Sequence, residues 1–256
     1  MITPNDSGEP RDRQGVSAHI DLMIQHRPVS ELGRTHTPVL EAHHHFCFAG
    51  YQDANFLNWG RLRVLNHNLL AANTALSSSF HSATEVLFIV REGTIFLEKD
   101  DGKSVAVGPN EIASIATGLG TEFAVRSASG QQAEYTVLWL TAPEADYRPK
   151  YRGIVGDLSN SDWIAADGFD GSHNLRWDIP VSVRLLRLGA GPWSISLSGS
   201  MSYITVLDGS ISVGGRTVGK FGAMLIEEET TMTGISRGDS LILVFDDFGT
   251  DDLTSA

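Results

Sequence analysis

The sequence predicts an all-β protein, and three observations carry that reading. Short runs rich in Val, Ile, Phe, Thr and Tyr recur at intervals of about 8 to 12 residues, with turn chemistry between them, as in a sandwich or barrel. The chain has 26 glycines, many of them at those breaks. No stretch sustains an apolar period of 3.6 residues between helix caps.

The elements follow in order. Residues 1–18 are rich in Asp, Arg, Pro, Gly and Ser, lack apolar periodicity and read as an N-terminal extension. His19 to Ile24 alternates polar and apolar residues, which suits a first strand, and Arg27-Pro28 breaks it. His44 to Tyr51 reads as the next strand, with Phe46 and Phe48 on one face. The run His43-His44-His45 that opens it is expected at a solvated strand end. Leu62 to Leu65 is a strand, and Asn66-His67-Asn68 a polar turn that would leave His67 at the surface. Ala71 to Ser79 is a loop of small residues.

The central stretch, Ser79 to Gly93, places His81 four residues before Glu85. The apolar run Val86 to Val90 and the turn Arg91-Glu92-Gly93 follow. Thr94 to Glu98 pairs back as a hairpin. Ser104 to Val107, Ile112 to Ile115, Thr121 to Val125 and Glu134 to Leu140 are further strands, separated by Gly- and Asp-containing turns.

Two prolines and clustered charge in Thr141 to Gly153 mark a domain boundary. The expected units are 19–145 and 146–256. Ser159 to Trp163 suits a single helical turn, and strands resume from Ser182 to Phe245. Tyr203 to Val213 (Y-I-T-V-L-D-G-S-I-S-V) parallels Leu87 to Leu97 (L-F-I-V-R-E-G-T-I-F-L). That weak repetition fits two copies of one barrel.

Composition narrows the function. Asp and Glu outnumber Lys and Arg by 31 to 19, a formal charge of -12, which disfavours nucleic acid and anionic membrane as partners. Cys47 is the sole cysteine, so no intrachain disulfide can form. No apolar run approaches the roughly 20 residues of a membrane helix, and Met1 to Gly8 lacks a signal-type apolar core. The expectation is a cytoplasmic protein. Cys47 lies in a Phe-rich stretch without a basic partner and reads as a small buried residue. Ser79 and His81 lack an Asp orienter and an oxyanion turn, a very weak hydrolase signal.

Several segments together resemble a known family. His44 to Tyr51 (H-H-F-C-F-A-G-Y), Leu62-Arg63-Val64 with Asn66, and Glu85 to Gly93 (E-V-L-F-I-V-R-E-G) resemble the N-terminal cupin of the pirin family, in particular its bacterial, quercetinase-type members. Leu207-Asp208-Gly209, Glu227-Glu228 and Leu241 to Asp246 (L-I-L-V-F-D) fit the second half, so the likeness runs from His19 to Phe248.

The resemblance implies a bicupin, two cupin (jelly-roll) β-barrels in one chain. It also implies a metal, usually iron, held in the N-terminal barrel by three His and one Glu. Some members cleave quercetin with dioxygen, and some bind transcription regulators. Matched position by position, the four ligands fall on Ser79, His81, Phe123 and Val125, so three of four are replaced. One imidazole does not hold a catalytic metal, which needs about three protein ligands. The resemblance therefore implies no metal, no cofactor and no catalytic residues in this chain. It implies instead a small ligand in the N-terminal barrel or a protein partner. The rival is a rebuilt site for a quercetinase-type dioxygenase. Its candidate ligands are His81 with Glu85, which share a face if the strand is regular, one of His43 to His45, and His67. A third reading is a scaffold whose barrels only support interaction surfaces.

Overall fold

Alternating apolar and polar side chains build the strands, and paired turns return each strand onto the last. The computed structural model describes residues 24–99, 101–142, 148–155, 163–167, 174–177 and 179–249. In chain order the strands of the first half are β1 (Ile24–Arg27), β2 (Gly33–His36), β3 (Leu40–His44), β4 (Leu62–Leu70), β5 (Ser79–His81) and β6 (Thr84–Glu92). They continue as β7 (Ile95–Lys99), β8 (Ser104–Val107), β9 (Ile112–Ala116), β10 (Thr121–Ser127), β11 (Ala133–Thr141) and β12 (Lys150–Val155). The second half holds β13 (Trp163–Asp167), β14 (Asn174–Trp177), β15 (Val181–Leu188), β16 (Gly191–Ser196) and β17 (Met201–Asp208). It closes with β18 (Ser210–Val213), β19 (Arg216–Gly219), β20 (Ala223–Glu227), β21 (Thr231–Ser236) and β22 (Ser240–Asp247). The expected helical turn at 159–163 and the strand start at 19–23 fall at least partly outside the described residues.

Each half forms a seven-stranded and a four-stranded sheet, the two walls of a barrel. The orders are β12-β9-β6-β11-β4-β3-β2 with β5-β10-β7-β8, and β1-β20-β17-β22-β15-β13-β14 with β16-β21-β18-β19. Most strands of the two halves correspond, as the weak repeat suggested, but the outer pair differs: β2 and β3 run antiparallel, β13 and β14 parallel. Gly93 and Gly209 occupy the same hairpin corner with φ of 70° and 76°, where a Cβ would run into backbone of the facing turn. The outermost strands are exchanged. β1 pairs with β20 of the second half, and β12 pairs with β9 of the first. Sheet membership thus crosses the boundary drawn between residues 145 and 146.

Three apolar clusters fill the molecule. One lies inside the N-terminal barrel (Val86, Phe88, Val125 and others), and one inside the C-terminal barrel (Ile204, Val206, Ile242 and others). The third is shared between the barrels and joins Phe46, Leu87 and Ile89 to Tyr203, Leu243 and Phe245. Polar ties reinforce that junction. Trp59 Nε1 donates to Ser202 O at 3.0 Å, and Arg61 pairs with Asp247 at 2.9 Å. Arg27, on the exchanged strand, is fully buried; its guanidinium donates to His45 O and to Tyr51 Oη and lies 3.5 Å from the centre of the Phe56 ring. No helix among the described residues is long and apolar enough to cross a membrane.

Two local expectations fail. The strand opened by the histidines does not run from His44 to Tyr51: β3 ends at His44, because Ala49 turns back at φ 48° and Phe48 bridges to Tyr51. Asn66-His67-Asn68 is not a turn. β4 continues to Leu70, with its polar side chains satisfied or housed inside the protein.

Candidate functional site in the N-terminal barrel

β5 and β10 pair antiparallel, with Ser79 opposite Phe123 and His81 opposite Thr121. Alternation along β10 then sends Phe123 and Val125 to the same side. The result is a cavity of about 260 Å³ in the N-terminal barrel, lined among others by Ser79, His81, Phe123 and Val125. All four positions singled out by the family resemblance therefore meet at one place.

Their chemistry is mostly apolar. The His81 ring stacks on Phe123 with centroids 4.8 Å apart and meets Trp139 edge-on at 4.5 Å. Its Nε2 is 2.7 Å from Ser79 Oγ. Burial lowers the His81 pKa below its usual value, so the ring is neutral near pH 7. Phe48 closes the next side, edge-on to Trp139 at 5.4 Å.

The opposite wall is polar, and sequence reasoning missed it. On β4, Asn66 and Asn68 point inward, on the side shared by their partners Val137 and Tyr135. His44 also lines the cavity, held at both nitrogens: Nδ1 is 2.9 Å from Asn66 Oδ1 and Nε2 is 2.8 Å from Thr35 Oγ1. An amide oxygen only accepts, so Nδ1 carries the proton and Nε2 accepts from the Thr35 hydroxyl. The available signal was the alternation of Asn66 and Asn68 with His67, hidden by reading these polar residues as a turn.

The other histidines go elsewhere. His45 is completely buried at the barrel junction, with Nδ1 2.8 Å from Tyr203 Oη. His67 is 2% exposed, bonds Thr136 Oγ1 at 2.9 Å and stacks on Phe221 at 4.3 Å. His43 is half-buried beside the same Phe221 ring. The solvated strand end and the surface position expected for these residues are both wrong, because β3 and β4 lie under the second barrel. Glu85 is not beside His81 either. The strand breaks at Ala83 (φ 47°), and Glu85 then shares a face of β6 with Leu87 and Ile89, towards the junction and away from Phe88 and the cavity. Cys47 is buried, its sulfur bonded to the backbone of Asp53.

A resident metal of the kind the resemblance implies does not fit these residues. Of the four ligand positions one carries a nitrogen, and that atom faces Ser79. The second imidazole on the cavity has both nitrogens engaged. Among the described residues no group of three His, Cys, Asp or Glu side chains gathers to hold an ion.

No family model matches the sequence. A Pirin-like protein of Caulobacter vibrioides is 26% identical over 230 residues, 88% of this chain and 99% of its own. A Quercetin 2,3-dioxygenase of Escherichia coli K12 is 25% identical over 228 residues, 88% of this chain and 98% of its own. The solved structure of bacterial pirin YhhW from Escherichia coli, a nickel(II) complex, superposes with a TM-score of 0.80 at 23% identity, over 88% of this chain and 99% of that one. Over most of its length the chain is pirin-like. Its fold is that of the bicupin pirins, and its exchanged β1 and β12 complete the two barrels.

Proposed function

We propose that this pirin-like protein binds a small, largely apolar molecule in its N-terminal barrel and runs no metal-dependent oxygenation there. The observation that supports this most is the cavity's lining, which is aromatic on one side and amide-bearing on the other. Among the described residues no Asp, Glu, Lys or Arg lines it. Pockets of this type, mostly apolar with a few convergent polar groups, suit small ligands. On this reading the protein is a cytoplasmic binding or regulatory module, and the relatives named for quercetin dioxygenation differ from it in chemistry.

Metal analysis and thermal shift on tag-free protein test the proposal. Well under one equivalent of metal is expected. A bound apolar ligand is expected to raise the melting temperature, since a ligand at 100 times its Kd stabilises by about 2.7 kcal/mol. One Fe, Mn, Ni or Zn per chain, or turnover of quercetin when Fe, Mn, Ni or Co is added, would sink it.

A further inference from the structure

The walls of the cavity also indicate the chemical class of its ligand, if it binds one as proposed above. Three side chains present polar groups to the cavity without a partner among the described residues. Asn66 is 1% exposed, and its Oδ1 is taken by His44, which leaves its Nδ2 protons free. Asn68, two residues on and on the same face, is 7% exposed and has its whole amide free. Tyr135, paired with Asn68 across the sheet, is 2% exposed with a hydroxyl that burial keeps protonated.

Donors that open onto a cavity without a protein partner are placed to pair with a ligand that supplies an acceptor. The relay Thr35–His44–Asn66 fixes which end of the Asn66 amide faces inward, so this wall is preset as a donor. The facing wall, Phe123, His81 and Trp139, offers flat ring surface. His44 and His81 both have pKa values lowered by burial, so neither supplies a positive charge near pH 7. A charged ligand would lose its hydration with no counter-charge to meet it.

We infer that the cavity selects uncharged molecules that carry a carbonyl-type acceptor on a flat apolar body, with the acceptor received by Asn66, Asn68 and Tyr135. Recognition by amide and phenol donors needs no metal.

Three naphthalenes of similar size test this by calorimetry on the full chain: 2-acetylnaphthalene, 2-ethylnaphthalene and 2-naphthoate. The ketone is expected to bind, and the carboxylate at least tenfold more weakly. Tyr135→Phe and Asn68→Leu are each expected to weaken the ketone by roughly two- to tenfold, the range of one hydrogen bond, and to leave the ethyl compound within about twofold. Both variants keep the His44 relay intact, so folding is preserved and is checked by circular dichroism. Equal losses for ketone and ethyl compound, or tightest binding of the carboxylate, overturn the acceptor inference while leaving the cavity a binding site. Failure of all three probes to bind the unmodified protein removes the binding reading itself, and the inference with it.

Discussion

The two barrels share their strand order except at one outer pair, and they differ in what fills them. Val90 and Val206 occupy equivalent places in the repeat, so their neighbours can be matched. Val90 pairs with Tyr135, and Tyr135 with Asn68. Val206 pairs with Ile242, and Ile242 with Leu186. Where the N-terminal barrel presents a phenol and an amide, the C-terminal barrel has Ile242 in its core and half-buried Leu186 packed against it. Phe88, which borders the cavity, corresponds to Ile204, which is completely buried among Val206, Ile242 and Val244. One barrel is therefore a solid support and the other a container. A duplicated fold can divide labour in this way because strand pairing and corner glycines set the topology, while inward side chains set the contents.

The titratable groups are divided as unevenly. Among the described residues every histidine except His26, on the exchanged strand, lies in the N-terminal barrel or at its junction. His45 and His67 are fully buried and face Arg27, Tyr203, His43 and Lys220 across the junction. Burial lowers both pKa values, that of His67 to about 3, with nearby positive charge adding to the shift. A histidine with a depressed folded pKa leaves stability intact above pH 6.5 and removes it as pH falls from there towards the folded value. His67 alone is expected to cost about 2 kcal/mol by pH 5, and His45 acts in the same direction. Hydrogen exchange at pH 7 and pH 5 is the check: β3, β4 and the junction should lose protection first, and β18 to β22 last. Uniform loss across both barrels would contradict the asymmetry.

Packing gives a second, smaller contrast. Ile204→Ala removes atoms from a filled core and is expected to cost about 3 kcal/mol. Val125→Ala only enlarges an existing cavity, so it should cost about 1 kcal/mol or less. Urea midpoints for the two variants measure both values, and similar losses would mean that the N-terminal barrel is packed as tightly as its twin.

Much of this was legible in the sequence, for identifiable reasons. Turn chemistry at Gly93 and Gly209 announced the hairpins locally, and the order of motifs announced the two barrels. The convergence of Ser79, His81, Phe123 and Val125 came from matching positions to a family pattern, and the geometry brings them to one cavity. The histidines were misplaced because their surroundings come from distant segments: Phe221 and Tyr203 cover His67 and His45 from the other barrel. The polar wall was misread because Asn66 and Asn68 look like turn residues unless their partners His44 and Tyr135 are known. Glu85 was misassigned by assuming a regular strand, and a single left-handed residue, Ala83, reset the alternation. The exchange of β1 and β12 had no local signature at all.

The smallest expected effect lies at Ser79. Its hydroxyl meets His81 Nε2 at 2.7 Å at an exposed strand edge, so Ser79→Ala leaves a nitrogen that cavity water can reach. Stability should change by no more than about 0.5 kcal/mol. The lowered pKa of His81 comes from burial, so its NMR titration in the variant should still fall below 6.5. A titration that rises to or above the ordinary value would mean that Ser79 holds the ring in its neutral state. A loss of stability comparable to Ile204→Ala would mean that the cavity edge bears weight as the solid core does, and the contrast between the barrels would not hold.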